Sequence, residues 1–276
     1  IEGGGLILIT ILGISYFGNV DYFEMANGFG GVVSSAALIF FAFIGFEAIV
    51  KLSEETKNAA KIIPRALMYS IGISTVLYVL VAISSVSILG WQALAASSAP
   101  LADVAAAVLG SKAFLLLAVI ALFSTANTVL MILVTTARML YGIGGKFKKI
   151  KFMSVIHKKR RTPYLAVIFC MIVAIAFACI GDIKIVAEVT NFAIFSTFIL
   201  INGALILLRK KAPKQKRPFK VPFSVGWFNV PAFVGILVTT GLLLYVSRDL
   251  RVYIGGGVLI LMGLITYTFL ENKNSK

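Results

Sequence analysis

The residue best placed to do chemistry is Glu47. It closes the run Phe40-Phe41-Ala42-Phe43-Ile44-Gly45-Phe46-Glu47, inside an otherwise apolar stretch. An ionisable side chain within such a stretch costs about 3 kcal/mol on insertion scales, which makes it a functional candidate by default. Two roles fit a carboxylate at this place: a protonation switch at the mouth of a cavity, or an ion pair with Lys51 one helical turn on. Gly45 stands two residues before it, and glycine is poor in helix interiors. If the helix breaks around residues 42–45, backbone carbonyls lose their intrahelical partners and face a cavity. The end of the first half-helix then carries partial negative charge, which suits an ammonium or another cation. Close helix packing is the other account of Gly45.

Little else in the chain offers reactive chemistry. Cys170 and Cys179 both fall inside one apolar run and read as packing residues, so neither a metal cluster nor an extracellular disulfide framework follows. The single histidine, His157, sits in a basic loop. The glycine triplets at 3–5 and 255–257 lack the spacing of a phosphate loop and read as close helix contacts. No GxSxG, HExxH, zinc spacing or aspartate pair is present, so an enzyme is not the expectation.

The elements that position Glu47 are apolar helices. Of the 276 residues 59% are hydrophobic and only 13% charged, with a mean hydropathy of +0.98. A soluble domain carries about a quarter charged residues. A span needs roughly 20 apolar residues to cross a hydrocarbon core about 30 Å thick. Eight runs qualify or nearly so: residues 1–18, 31–50, 67–89, 113–143, 164–180, 185–208, 225–246 and 252–270. They are continuous rather than alternating, which predicts helices and not a barrel. Pro64, Pro163, Pro213, Pro218 and Pro222 stand at the expected loop edges.

The net charge of +15 is not spread evenly. With loops assigned alternately to two sides, 22 of the 26 Lys and Arg fall on one side, and only Lys112, Lys184, Arg248 and Arg251 on the other. This asymmetry predicts that both ends and the loops 51–65, 138–161 and 209–220 are cytoplasmic. The basic run 146–161 then reads as topology and anionic lipid contact rather than a nucleic-acid site. One multi-pass domain in the cell membrane is expected over residues 1–276.

Three stretches resemble a known family. Phe40 to Glu47, followed by Ser53-Glu54-Glu55-Thr56-Lys57-Asn58 and Ile63-Pro64-Arg65-Ala66, is similar to the sixth helix and following loop of the amino acid–polyamine–organocation (APC) permeases. Thr136-Ala137-Arg138-Met139-Leu140-Tyr141 resembles that family's eighth-helix exit, and Arg161-Thr162-Pro163 the start of its ninth. The resemblance implies the LeuT-type fold of two inverted five-helix repeats and two further helices, with substrate at the midplane between broken helices. On that map the chain is the C-terminal portion of a permease, helices five to twelve. Residues 1–18 end the fifth helix, 31–208 form the second repeat and 225–270 the last two helices.

Carried over residue by residue, the unwound carbonyls that bind a substrate α-ammonium fall on Phe41, Ala42 and Ile44, within a substrate-binding stretch that includes Phe43 and Gly45. Phe41 matches an aromatic that closes over substrate, and Glu47 an acidic gating position. Ser124 and Thr125 match hydroxyls that hold sodium in sodium-coupled relatives, or are ordinary packing hydroxyls. The implied activity is secondary active transport of amino acids or related amines by alternating access, coupled to H+ or Na+ without a cofactor. The implied partners are the amino acid, the bilayer and the first-repeat helices, which this sequence lacks. A non-transporting membrane subunit or permease remnant is the other reading.

The topology is open to a direct check. In a background lacking Cys170 and Cys179, a cysteine at Ser97 is expected to react with an impermeant maleimide on intact cells. A cysteine at Ser154 is expected to stay unlabelled until the membrane is opened. Labelling at Ser154 from outside would invert the assignment.

Overall fold

The computed structural model describes all residues but 1, 52, 54, 55, 180, 218, 222, 246–249 and 272–276, and of Glu2 and Glu271 the backbone alone. Glu54 and Glu55 of the loop motif, Pro218, Pro222, Arg248, Lys273 and Lys276 therefore lie outside the described residues. In chain order the elements are α1 (Glu2–Gly13), α2 (Gly28–Ile39), α3 (Ala48–Lys51), α4 (Ala59–Ala96), α5 (Pro100–Leu109), α6 (Ser111–Lys146), α7 (Tyr164–Ala178) and α8 (Ile183–Lys211). A two-residue hairpin, β1 (Ser224–Val225) and β2 (Phe228–Asn229), then precedes α9 (Val230–Tyr245) and α10 (Leu250–Glu271).

Among the described residues, five helical segments are long and apolar enough to cross a membrane: Gly28–Lys51, Ala59–Ala96, Ser111–Lys146, Ile183–Lys211 and Leu250–Leu270. The runs 1–18, 164–180 and 225–246 coincide with the shorter apolar helices Gly3–Tyr16, Tyr164–Ala178 and Val230–Tyr245. Most of their surface has no protein over it. On α6, Leu122 is 69% and Phe123 60% exposed, as suits side chains whose solvent is lipid. The chain is a predominantly helical, multi-pass membrane protein.

Two sequence expectations about element ends are corrected. Pro64 does not end an element: α4 begins at Ala59 and contains it. A proline at the sixth position forfeits one ladder bond and crowds the Ala60 carbonyl, a cost that the many turns of α4 beyond it outweigh. The run 225–246 is not helical from its start either. Gly226 takes φ 60° at the first central position of the β1–β2 turn, as a type II′ hairpin requires. Asn229 then caps α9, its Oδ1 accepting from the Ala232 N–H at 2.9 Å.

By internal packing the chain divides into two units. The first comprises Ile1–Glu24 and Arg65–Val134. Its core gathers Ile9, Val81, Val104 and Leu117. Here α1 lies so close to α4 that a Cβ on Gly13 would stand 2.2 Å from that of Ser84. The Tyr22 and Ser87 hydroxyls bond at 2.6 Å.

The second unit comprises Met25–Pro64 and Thr135–Lys276 and is organised around α8, which packs on α2, α9 and α10. Its start is capped by Asp182, whose Oδ1 accepts from the N–H groups of Lys184 and Ile185 at 3.0 and 3.2 Å. Its last turn carries Arg209, Lys210 and Lys211, the sign that complements the helix dipole. Val189, Phe195 and Val252 form the core. The packing account of the glycine triplets holds in part. A Cβ on Gly256 would sit 2.1 Å from the Phe192 ring and one on Gly5 3.1 Å from Ile120, whereas Gly3, Gly4 and Gly257 meet nothing within 4 Å.

Candidate functional site

The second span is broken where the sequence placed the break. After α2 ends at Ile39, residues Phe40–Phe43 tighten into a 3₁₀ turn. Ile44 then opens to φ −64°, ψ 135°, and Gly45 to φ 127°, before α3 resumes the helical direction at Ala48. Only glycine reaches that φ without strain, and the aromatic residues before it lose rotamer freedom in a helix. Within the break the Phe41 carbonyl accepts from the Ile44 N–H at 3.2 Å, and the carbonyls of Gly45, Phe46 and Glu47 each bond a residue three positions on. The extended Ile44 turns its own carbonyl off the axis that α2 follows.

Glu47 secures the far side of the break. Its Oε2 accepts from the Gly45 N–H at 2.8 Å, and its Oε1 lies 3.8 Å from the Lys51 ammonium. The ion pair that the spacing allowed is present, and the carboxylate also satisfies a backbone donor that the break releases. Both side chains are partly exposed, so the pair itself adds little.

The near side is held by α8, through residues that the sequence reading did not single out. Asn191 is fully buried, and its Nδ2 donates to the Ala37 carbonyl at 2.8 Å and the Leu38 carbonyl at 3.4 Å. Its Oδ1 is buried with no partner among the described residues. One and two turns along the same face, Phe195 packs its ring 4.9 Å from Phe40, and Phe198 reaches Phe40 and Phe46 at 6.1 and 6.0 Å. Glu188, three residues before Asn191, is also buried, a carboxylate within a span. Both polar residues stand in the run 185–208. The argument that flagged Glu47, a polar group inside an apolar run, would have flagged them. The partners of Asn191, more than 150 residues away in sequence, were not readable.

The substrate-binding candidates Phe41, Ala42, Phe43, Ile44 and Gly45 are thus contiguous on non-α backbone, with Glu47 bonded to it. Phe41 is 42% exposed. Ser124 and Thr125 lie on the part of α6 in the first unit, where Thr125 Oγ1 donates to the Ala121 carbonyl of its own helix at 2.9 Å. Among the described residues no cluster of three or more His, Cys, Asp or Glu could hold a metal ion.

The three family-like stretches meet in space. Lys51 and Ser53 after the break, Arg138 and Tyr141 at the end of α6, and Arg161 and Pro163 before α7 line one cavity of about 470 Å³ in the second unit. Their separation in sequence and convergence in structure connect the end of the broken span to two basic loops.

The bracing can be measured. Asn191→Leu removes a buried donor from two carbonyls and is expected to cost about 1–2 kcal/mol. Gly45→Ala forces φ 127° on a residue with a Cβ and is expected to cost about 1–3 kcal/mol. Unfolding of the purified chain in detergent reads both. Gly257→Ala, whose Cβ meets nothing, is expected to leave stability unchanged or slightly raised. Equal stability of all three variants would remove the bracing account.

Comparison with known proteins accords with this geometry. Residues 5–269 match the family model described as amino acid permease. The branched-chain amino acid permease BcaP of Bacillus subtilis is 31% identical over 252 residues, covering 91% of this chain and 53% of that protein. The methylthioribose transporter of the same organism is 27% identical over 98% of this chain and 57% of its own length. The mouse b(0,+)-type amino acid transporter 1 is 29% identical over 94% of this chain and 54% of its own. The chain spans about half the length of the curated relatives it matches. A broken apolar span, its motif-lined cavity and a family match over nearly all its residues make this chain a member of the amino acid permease family.

Proposed function

We propose that this chain carries the ammonium-binding half of the substrate site in a secondary transporter of amino acids. The observation that carries the reading is the non-α backbone at residues 40–45 inside a membrane-length apolar segment. Carbonyls there are amide dipoles in a medium of low dielectric constant, where a substrate ammonium gains far more from them than in water. Phe41 stands beside them as the aromatic that covers the substrate. Ala42, Phe43 and Ile44 complete the stretch, and Gly45 lets the chain turn.

The transporter works by alternating access in a LeuT-type fold, with this chain as its later part and about eight of its helices spanning the membrane. Its relatives support amino acids as the substrate class, since two of the three are amino acid transporters by name. The basic loops and both ends face the cytoplasm of the cell membrane, and Glu47, bonded to Gly45, couples the break to H+ or to the inner gate. Ser124 and Thr125 are the candidates for a Na+ site. A zwitterion held only by its ammonium leaves a carboxylate unpaired in a low-dielectric cavity, which costs several kcal/mol. The partner half-site lies on first-repeat helices that residues 1–276 do not include.

Transport assays in proteoliposomes separate the parts of this reading. The 276-residue chain by itself is expected to show no saturable amino acid uptake. Co-reconstituted with the first half of the Bacillus subtilis branched-chain permease, it is expected to take up labelled leucine in competition with unlabelled leucine. In that pair, Glu47→Gln is expected to slow exchange or shift its pH dependence, while Lys51→Met has a small effect. Competed uptake by the chain alone would overturn the half-site. A correctly inserted pair with no uptake of any amino acid would favour a non-transporting membrane subunit.

A further inference from the structure

The loop between α8 and α9 is built differently from the rest of the basic surface. It begins after Arg209-Lys210-Lys211 in the last turn of the membrane-length helix α8 and ends where the apolar helix α9 starts at Val230. Seven Lys and Arg lie within 209–220, and no Asp or Glu occurs from 209 to 247.

Its interior is ordered by side chains. Arg209 Nη1 donates to Ser224 Oγ at 2.5 Å, and that hydroxyl donates to the Val221 carbonyl at 3.0 Å and accepts from Asn229 Nδ2 at 2.9 Å. The end of α8 is thereby tied to the hairpin and to the cap of α9. Arg217 folds the loop around itself, its Nη2 donating to the Ala212 carbonyl at 2.8 Å and its Nη1 to the Gln215 carbonyl at 3.2 Å. Lys210 stands 5.5 Å from the centre of the Trp227 ring. Arg209, Arg217, Lys220, Ser224 and Trp227 line a cavity of about 390 Å³, and no described carboxylate forms an ion pair with its three cations. Around the hairpin tip, Phe223 and Val225 are 79% and 75% exposed.

From this we infer that the α8–α9 loop is a binding site for the phosphate of an anionic phospholipid headgroup, with the hairpin tip lying among the acyl chains beside it. Two guanidinium groups and an ammonium around one cavity match a phosphate in charge, and the largely unspent fork of Arg209 suits it in donor chemistry. Only one of the five N–H donors of Arg209 is used by Ser224, which fixes the fork without neutralising it. A free phosphate would need the cations alone. The exposed Phe223, Val225 and half-exposed Trp227 beside them favour a ligand with both a phosphate and a hydrocarbon part. This inference stands apart from any transport activity.

Trp227 is its own reporter. The chain has two tryptophans, so Trp91→Phe leaves Trp227 as the single fluorophore in the full chain. This parent is reconstituted in phosphatidylcholine vesicles with increasing brominated phosphatidylglycerol or, in parallel, brominated phosphatidylcholine. Half-quenching is expected at about fivefold less of the anionic lipid, the enrichment that one basic residue near a membrane surface gives. Added to the parent, Arg209→Gln with Lys220→Gln is expected to bring the two lipids within about twofold. The charge-preserving pair Arg209→Lys with Lys220→Arg keeps the preference, as does Lys148→Gln with Lys151→Gln in the other basic loop. Equal quenching by both lipids in the parent overturns the site. So does a preference that survives the neutral pair, that is lost in the charge-preserving pair, or that is lost in the other loop's pair. Erasure of the preference by millimolar inorganic phosphate would assign the cavity to free anions and overturn the lipid.

Discussion

A polypeptide inside a hydrocarbon layer must satisfy its backbone groups from within, because no water is there to do it. Much of the second unit follows from that constraint acting at residues 40–47. Tightening to a 3₁₀ turn at Phe40–Phe43 and opening to φ 127° at Gly45 free donors and acceptors that an unbroken α-helix would have paired. Each released group needs a partner. The chain supplies Glu47 for the Gly45 N–H and Asn191 for the carbonyls of Ala37 and Leu38. Phe195 and Phe198 then fix the aromatic side of the break by packing on Phe40 and Phe46. One face of α8 thus acts as both cap and wall, which accounts for a fully buried asparagine in a membrane-length span.

The same geometry gives Glu47 two functions that need not be separated. As a local acceptor it holds Gly45, and as a charge at the end of the break it reaches Lys51. Lys51 lines the cavity shared with Arg138 and Arg161. A change of charge at Glu47 would therefore be felt both by the backbone of the break and by the basic loops. In the proposed transporter that coupling would be the physical content of a gating role for Glu47.

How much was legible depended on the range of the interaction. Gly45 and Glu47 were readable because a glycine and a carboxylate inside an apolar run each carry a local cost, and the structure places the non-helical backbone at that glycine. Asn191 and Glu188 carried the same local signal and were passed over, while the pairing of Asn191 with α2 is a tertiary fact that no local pattern encodes. The run 225–246 was read as helical throughout because hydrophobicity outweighed its turn chemistry. Gly226 and the asparagine cap at 229 were visible in the sequence, but only the hairpin's register shows what they do. Pro64 reads as a stop because proline breaks helix interiors, but as the sixth residue of a 38-residue helix its cost is outweighed by the turns beyond it. The meeting of Lys51, Arg138 and Arg161 in one cavity was beyond the sequence, although each of the three stretches was recognised.

The central claim is a backbone conformation, and solid-state NMR of the full chain in bilayers measures it directly. With Ile44 and Gly45 isotopically labelled, the account predicts extended shifts at Ile44 and a positive φ at Gly45, between helical shifts at Ala37 and Ile49. Helical shifts at both Ile44 and Gly45, continuous from Ala37 to Ile49, would contradict it.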